Sequence, residues 1–258
     1  MHSDDSPAPA RSARARARDQ ITAEILAAAR IRLAAEGPAG LSLRAVARDV
    51  GMVSSAVYRY FASRDELLTA LLVLAYDDLG LAAERADATV ADRSDLGARW
   101  LVSLRAVRRW ALANPGDYAL LYGSPVPGYA APQTTVEPAA RVILVILGIV
   151  LDGAAAGAEP SPPPPSADLR RDEAAVADAI GWVRMRDLVA PEVAVPAELV
   201  IRTLLAWTTV FGTISFELFG HLVGSVSDRD DYFDAVLLRL AADLGLPTDF
   251  ESATTAQA

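Results

Sequence analysis

The chain has 258 residues, 52% of them hydrophobic, with 16 glycines and 16 prolines. That is enough for a sizeable core and excludes a fibrous or wholly disordered protein. The absence of cysteine excludes a disulfide framework and cysteine-ligated zinc, and fits a reducing, cytoplasmic setting. The formal net charge of −9 argues against a protein that coats nucleic acid indiscriminately, yet the charge is unevenly spread. Residues 1–64 hold ten arginines against six acids, about +4; the remainder holds fourteen against twenty-seven, about −13. A basic head on an acidic body can meet a polyanion in one orientation only. All the cations are arginine.

Residues 1–18, rich in Ser, Pro, Ala and Arg, lack apolar periodicity and read as a mobile basic arm. Helical spacing then begins, with Ile21, Ile25, Leu26, Ala29 and Leu33 on one face and Gly37-Pro38 as its stop. Ser42 is placed to cap a short second helix whose inner face is Leu43, Val46, Ala47 and Val50; Gly51 ends it. A third short helix is predicted from about Ser54 to Tyr60. Ser63-x-x-Glu66 is a capping box that opens a longer helix, with Asp65 and Glu66 in its first turn, where negative charge suits the helix dipole. Further helices are predicted at about 92–113, 116–123, 134–153, 168–186, 196–223 and 229–245. The segment 122–133 reads as a loop, the proline-rich 153–167 as non-helical, and 249–258 as a disordered tail. No strand pattern persists. The most apolar run, Val142 to Leu151, is much shorter than the roughly 20 residues a membrane crossing needs. Leu199 to Val223 carries Arg202, Glu217 and His221 and reads as a buried amphipathic helix.

Two short helices joined by a turn at Gly51, with a third helix behind them, form a helix-turn-helix. The first braces the backbone and the second lies in the major groove. Ala47 is small where two helices cross, and Gly51 can take the positive φ of a tight turn. Val46, Val50, Val57 and Phe61 point inward. Val53, Ser54, Ser55, Tyr58 and Arg59 are left on the outer side.

From Ile21 to about Leu74 the chain resembles the DNA-binding domain of TetR-family transcriptional regulators. The specific parts are Ala56-Val-Tyr-Arg-Tyr-Phe61 and Ser63-Arg-Asp-Glu-Leu-Leu68. The resemblance implies that Ser42, Tyr58, Tyr60 and Arg64 grip phosphates and that Arg44, Val53, Ser54, Ser55 and Arg59 stand near bases. Tyr60 occupies a position where the family often has histidine, Arg64 one that usually holds lysine, and Val53 one that commonly holds a small polar residue. Asn114-Pro-Gly-Asp-Tyr118 through Tyr129, with Trp207-Thr-Thr-Val-Phe-Gly212, is similar to the C-terminal domain of the Trp-His-Gly subgroup. Phe211 stands at that subgroup's histidine.

The body holds all four tryptophans, and its aromatic stock suggests an apolar ligand cavity as readily as a simple core. The ligand-binding candidates are Trp100, Leu104, Trp110, Tyr118, Tyr122, Trp207 and Phe211. The expected fold is all-α: an arm (1–18), a three-helix helix-turn-helix domain (19–64), and a larger helical ligand-binding and dimerisation domain (65–248). The last two helices are long and apolar on more than one face, and in the family such helices pair with their copies. The expected function is a regulator, by family resemblance a repressor. It would bind a palindromic operator as a homodimer and be released by a small apolar or aromatic effector, with no cofactor, no metal and no membrane partner. An enzyme fits poorly: His2 and His221 are the only histidines, and no phosphate loop or nucleophile elbow is present. Glu217 and His221, four apart on one helix, leave a metal-dependent or purely ligand-binding helical protein as the alternative.

Overall fold

The computed structural model describes residues 13–162, 168–190 and 193–249. Most of the expected arm (1–12), the centre of the proline-rich loop (163–167) and nearly all of the expected tail (250–258) lie outside those residues. The described residues are helical, with no strand among them.

The chain divides into two compact units. The first comprises the residues up to Leu74 together with Gly116–Pro132. Helix α1 (Ala13–Gly40) opens it, with a break at Gly37 (φ 69°), after which Pro38 starts a last turn. The break is where Gly37-Pro38 was expected to stop the helix. The start is earlier than expected, because Ala13 to Arg18, an alternation of two strong helix formers, is helical rather than part of the arm. Ile25, Ala29 and Leu33 of α1 are fully buried. Helix α1 packs on α2 (Leu43–Asp49), whose Val46 and Ala47 are fully buried, and α2 packs on α3 (Ser54–Val57), whose Val57 is fully buried; in the same unit α4 (Arg64–Thr89) buries Leu67, Leu68 and Leu71. Fully burying one such side chain contributes roughly 1.5–3 kcal/mol.

The 19–64 head read from the sequence is thus the centre of a larger unit. Most of α6 (Pro115–Tyr122) joins it through particular contacts. Asp117 is buried and accepts from the Arg30 guanidinium of α1 (Nε 3.0 Å, Nη2 2.5 Å). Gly116 lies so close to Ala34 that a Cβ there would stand 2.7 Å from the Ala34 Cα. The Tyr129 hydroxyl shares a 2.9 Å hydrogen bond with Thr69.

The second unit holds Ala75–Pro115 and the chain from Gln133 onward. Its core is built on α5 (Leu96–Ala113), whose Trp100, Leu101, Leu104, Val107 and Ala111 are all buried. Around α5 pack α7 (Val136–Ala155), α10 (Ala197–Leu218) and α11 (Arg229–Asp243). The helix expected over 168–186 is two, α8 (Leu169–Ala175) and α9 (Ala177–Met185), parted at Val176 (φ −113°). Hydrogen bonding runs through that break, from Val176 N–H to Asp172 and from Ile180 N–H to Val176. Helix α10 ends at Leu218 rather than near 223. Gly220 (φ 81°) is its terminal left-handed residue, with His221 N–H donating back to Phe216 and Gly220 N–H to Glu217. Gln133–Ala155 and Ala197–Leu218 are long and apolar enough to cross a membrane by length and composition. The second carries the buried Arg202 and Glu217, held by Glu198 and Arg108 respectively.

Candidate nucleic-acid interface

Local physics builds the helix-turn-helix. Helix α2 starts after Ser42, whose extended backbone (φ −139°, ψ 128°) leaves its carbonyl to accept from Val46 N–H. Ser42 holds the N-cap position, but its hydroxyl makes no capping bond and stays half-buried. The helix ends with Gly51 at φ +66°. There Met52 N–H donates to the Ala47 carbonyl (2.8 Å) and Gly51 N–H to that of Arg48 (3.2 Å), which satisfies the last carbonyls and turns the chain into α3. On the far side of α3, Ser63 Oγ accepts from Glu66 N–H (3.1 Å) while Glu66 accepts from Ala62 N–H (2.6 Å), starting α4.

This frame sorts the predicted DNA-contacting residues. Arg44, Val53, Ser55, Tyr58 and Arg59 are exposed, Val53 by 70%. Ser54 and Tyr60 are half-buried along the same face. The arginines of this unit divide sharply. Arg30 holds Asp117, Arg32 holds Asp49 and Glu36, and Arg18 donates to the Arg59 carbonyl (3.3 Å) while lying 5.1 Å from the Tyr60 ring centre. Arg44 and Arg59 have no ionic partner among the described residues. The Arg32 hydrogen bonds hold the Asp49 carboxyl below the usual aspartate range, so Asp49 stays ionised and ties α2 to α1.

Arg64 is placed differently from the other candidates. Its Nε donates to the Leu41 carbonyl (3.0 Å) and its Nη2 to that of Pro38 (2.8 Å), so it braces the turn between α1 and α2. The sequence gives no sign of this, since the carbonyls lie 23 and 26 positions away.

The seven ligand candidates are divided between the two units. Trp100 and Leu104 are fully buried in the α5 core, and the Trp100 indole N–H donates to the Leu237 carbonyl (3.0 Å). Tyr118 is fully buried in the first unit, its ring 5.1 Å from that of Tyr122. Trp207 and Phe211 meet edge-on along α10 at 6.2 Å. Trp110 is different: it lines a groove of about 760 Å³ between the second half of α4 and α5. Ala82, Ala86, Ala98, Ala106 and Ala113 make room for that groove, and Arg109 stands at it. Neither the alanines nor Arg109 was singled out from the sequence, although the spacing of Ala98, Val102, Ala106 and Arg109 marks one face of α5. A second cavity, of about 790 Å³, is lined by aliphatic residues including Val150, Leu151, Val195, Leu199 and Leu244, and by none of the seven.

Comparison with known proteins adds to this geometry. The model described as "Bacterial regulatory proteins, tetR family" matches residues 25–71. One described as "Tetracyclin repressor-like, C-terminal domain" matches residues 100–240, without assigning the body to the Trp-His-Gly subgroup. The HTH-type transcriptional regulator Rv1816 of Mycobacterium tuberculosis (strain ATCC 25618 / H37Rv) is 43% identical over an alignment of 247 positions that covers 88% of this chain and 94% of that protein. Mb1846 of Mycobacterium bovis, also an HTH-type transcriptional regulator, matches to the same extent. The crystal structure of SCO4313 is 34% identical with a TM-score of 0.70, covering 89% of this chain and 98% of that one. A protein of unknown function from Rhodococcus sp. RHA1 shares the fold at 23% identity and a TM-score of 0.62, covering 92% and 97% of the two chains.

Proposed function

Because the chain belongs to the TetR family of transcriptional regulators, we propose that it is a repressor whose two copies grip a palindromic operator and let go when a small apolar or aromatic molecule binds the body. One observation carries the DNA-reading part. The outer side of α2, α3 and the turn that follows α3 presents two uncommitted guanidiniums, Arg44 and Arg59, together with the exposed Ser55 and Tyr58, while other arginines of the same unit are spent on internal contacts. Free guanidiniums and short hydroxyls are the groups that donate to phosphates and base edges. Val53 adds an apolar contact for a thymine methyl. Ser54 stands near the bases with them, Ser42 and Tyr60 complete the backbone grip, and Arg64 contributes by fixing the turn.

Pairing is the role of α10 and α11. Leu205, Thr208, Gly212 and Phe216 form an exposed stripe along α10 at helical spacing, and Leu238 is exposed on α11. No atom stands within 4 Å of a Cβ built on Gly212, so a partner helix can approach there. A two-fold pair presents two heads to major grooves about 34–36 Å apart, one turn of DNA. The effector acts through α4, which contributes Arg64 to Leu74 to one unit and Ala75 to Thr89 to the other. A ligand that favours one position of α4 shifts the operator equilibrium by its differential affinity for the two states.

Fluorescence anisotropy with a duplex from the promoter next to the gene tests the reading. The dimer binds it, and Arg59→Ala weakens binding by about 1–3 kcal/mol if Arg59 reads a base. Equal affinity of wild type and an Arg44→Ala, Arg59→Ala variant for every duplex would overturn it.

A further inference from the structure

We propose that the groove between α4 and α5 is a binding site for an aromatic carboxylate, its ring on Trp110 and its carboxylate on Arg109. This deepens the effector reading above, and rests on it only for the consequence at DNA.

The charge pattern of α5 carries the argument. Helix α5 has four arginines. Arg99 holds Asp87 (2.8 Å) and Asp152 (2.6 Å). Arg105 holds Asp234 (2.5 Å), and Arg108 holds Glu217 (2.7 Å) and Asp230 (2.6 Å). Arg109 alone of the four has no ionic or hydrogen-bonding partner among the described residues, and it is the one that lines the groove. The acids of the groove are already engaged. Asp92 accepts from the Ser94 hydroxyl (2.6 Å) and Ser94 N–H (2.9 Å), and Asp95 caps α5 by accepting from Ala98 N–H (2.9 Å). They also lie at the opposite end: Asp95 and Arg109 are fourteen residues apart, about 20 Å along the helix.

Between those ends the walls are Ala82 and Ala86 of α4 and Ala98, Val102 and Ala106 of α5. The volume of about 760 Å³ suits a small organic ligand. Trp110 lines the same groove and is half-buried, so the groove holds both an indole and an open guanidinium. A planar ring on an indole next to a two-pronged donor is the geometry of an aryl carboxylate. The aliphatic cavity of about 790 Å³ gives an anion nothing comparable. Its two lining carboxylates, Asp152 and Glu198, are held by Arg99 and Arg202, and no cation lines it among the described residues.

Calorimetric titration of the full-length protein with 2-naphthoate and 4-phenylbenzoate, each beside its neutral amide, tests the site. At least one acid should bind ten-fold or more tightly than its amide. Arg109→Gln should shrink that preference below two-fold, and Arg109→Lys should restore part of it. Ala86→Leu, which fills the groove, should weaken acid and amide alike. The proposal is overturned if neither acid binds better than its amide, or if the preference survives Arg109→Gln. Anisotropy on an operator duplex, run in parallel, separates the two readings. An acid that binds through Arg109 yet leaves the DNA complex intact sinks the effector reading and keeps the site. DNA binding without any acid preference sinks the site and keeps the regulator.

Discussion

Replacing Gly51 by alanine isolates the conformational cost of the turn between the two reading helices. Gly51 sits at φ +66°, and a Cβ built there meets no atom within 4 Å. A side chain therefore collides with nothing, and the left-handed backbone supplies the whole penalty. For an L-residue that penalty is about 1–2 kcal/mol. Reduced freedom of the unfolded chain returns roughly 0.4–1 kcal/mol of it. The expected net loss is about 1 kcal/mol, smaller for Gly51→Asn, because asparagine visits this region more readily. The four tryptophans all lie in the second unit, so their fluorescence does not report the head directly. Amide hydrogen exchange does, at Gly51 and Met52, whose N–H groups donate to Arg48 and Ala47. Their protection should fall about five-fold in Gly51→Ala, by the conversion of 1.4 kcal/mol per factor of ten. No change in protection would mean that the turn is not held in its left-handed form. A loss above about 3 kcal/mol would mean that the methyl meets something, contrary to the open space at this position.

Two other perturbations address the links that hold the helices. A Cβ at Gly80 would stand 2.5 Å from the Arg141 Cβ, and Arg141 clamps Asp77 (2.8 Å) and Glu84 (2.5 Å) of α4. Gly80→Ala should destabilise the second unit by about 1–3 kcal/mol through overpacking. Arg141→Met should cost less, about 0.5–1 kcal/mol, because both carboxylates are well solvated; denaturant titration followed by tryptophan fluorescence ranks the two. The Asp49 carboxyl is held low by Arg32, so its contribution is complete above the ordinary aspartate value of about 3.9 and is lost as pH falls through the lower folded-state value. An NMR titration should place Asp49 below that value in the native protein, and Arg32→Gln should move it upward.

The parts legible in the sequence are those set by neighbours in the chain. Gly37-Pro38, Gly51 and Ser63-x-x-Glu66 act within a few residues, and each marks its break or start where the structure has it. The buried faces of α1 and α2 follow from apolar spacing alone. What escaped the sequence depends on partners far along the chain. Trp100 reads as a ligand candidate until its indole is seen donating to Leu237, 137 positions away. Asp117 and Tyr129 read as parts of the body until Arg30 and Thr69 take them into the first unit. Arg64 and Arg109 are alike on paper; one is spent on two carbonyls and the other is left open at a groove. Val176 interrupts a helix without any glycine or proline to announce it.

The most direct test is selection of duplexes from a random pool by the full-length protein. The exposed sides of α2 and α3 should enrich one two-fold-symmetric sequence, with half-sites whose centres lie about one helical turn or a multiple of it apart. A pool that emerges without any enriched sequence, or enrichment that persists unchanged in an Arg44→Ala, Arg59→Ala variant, would contradict it.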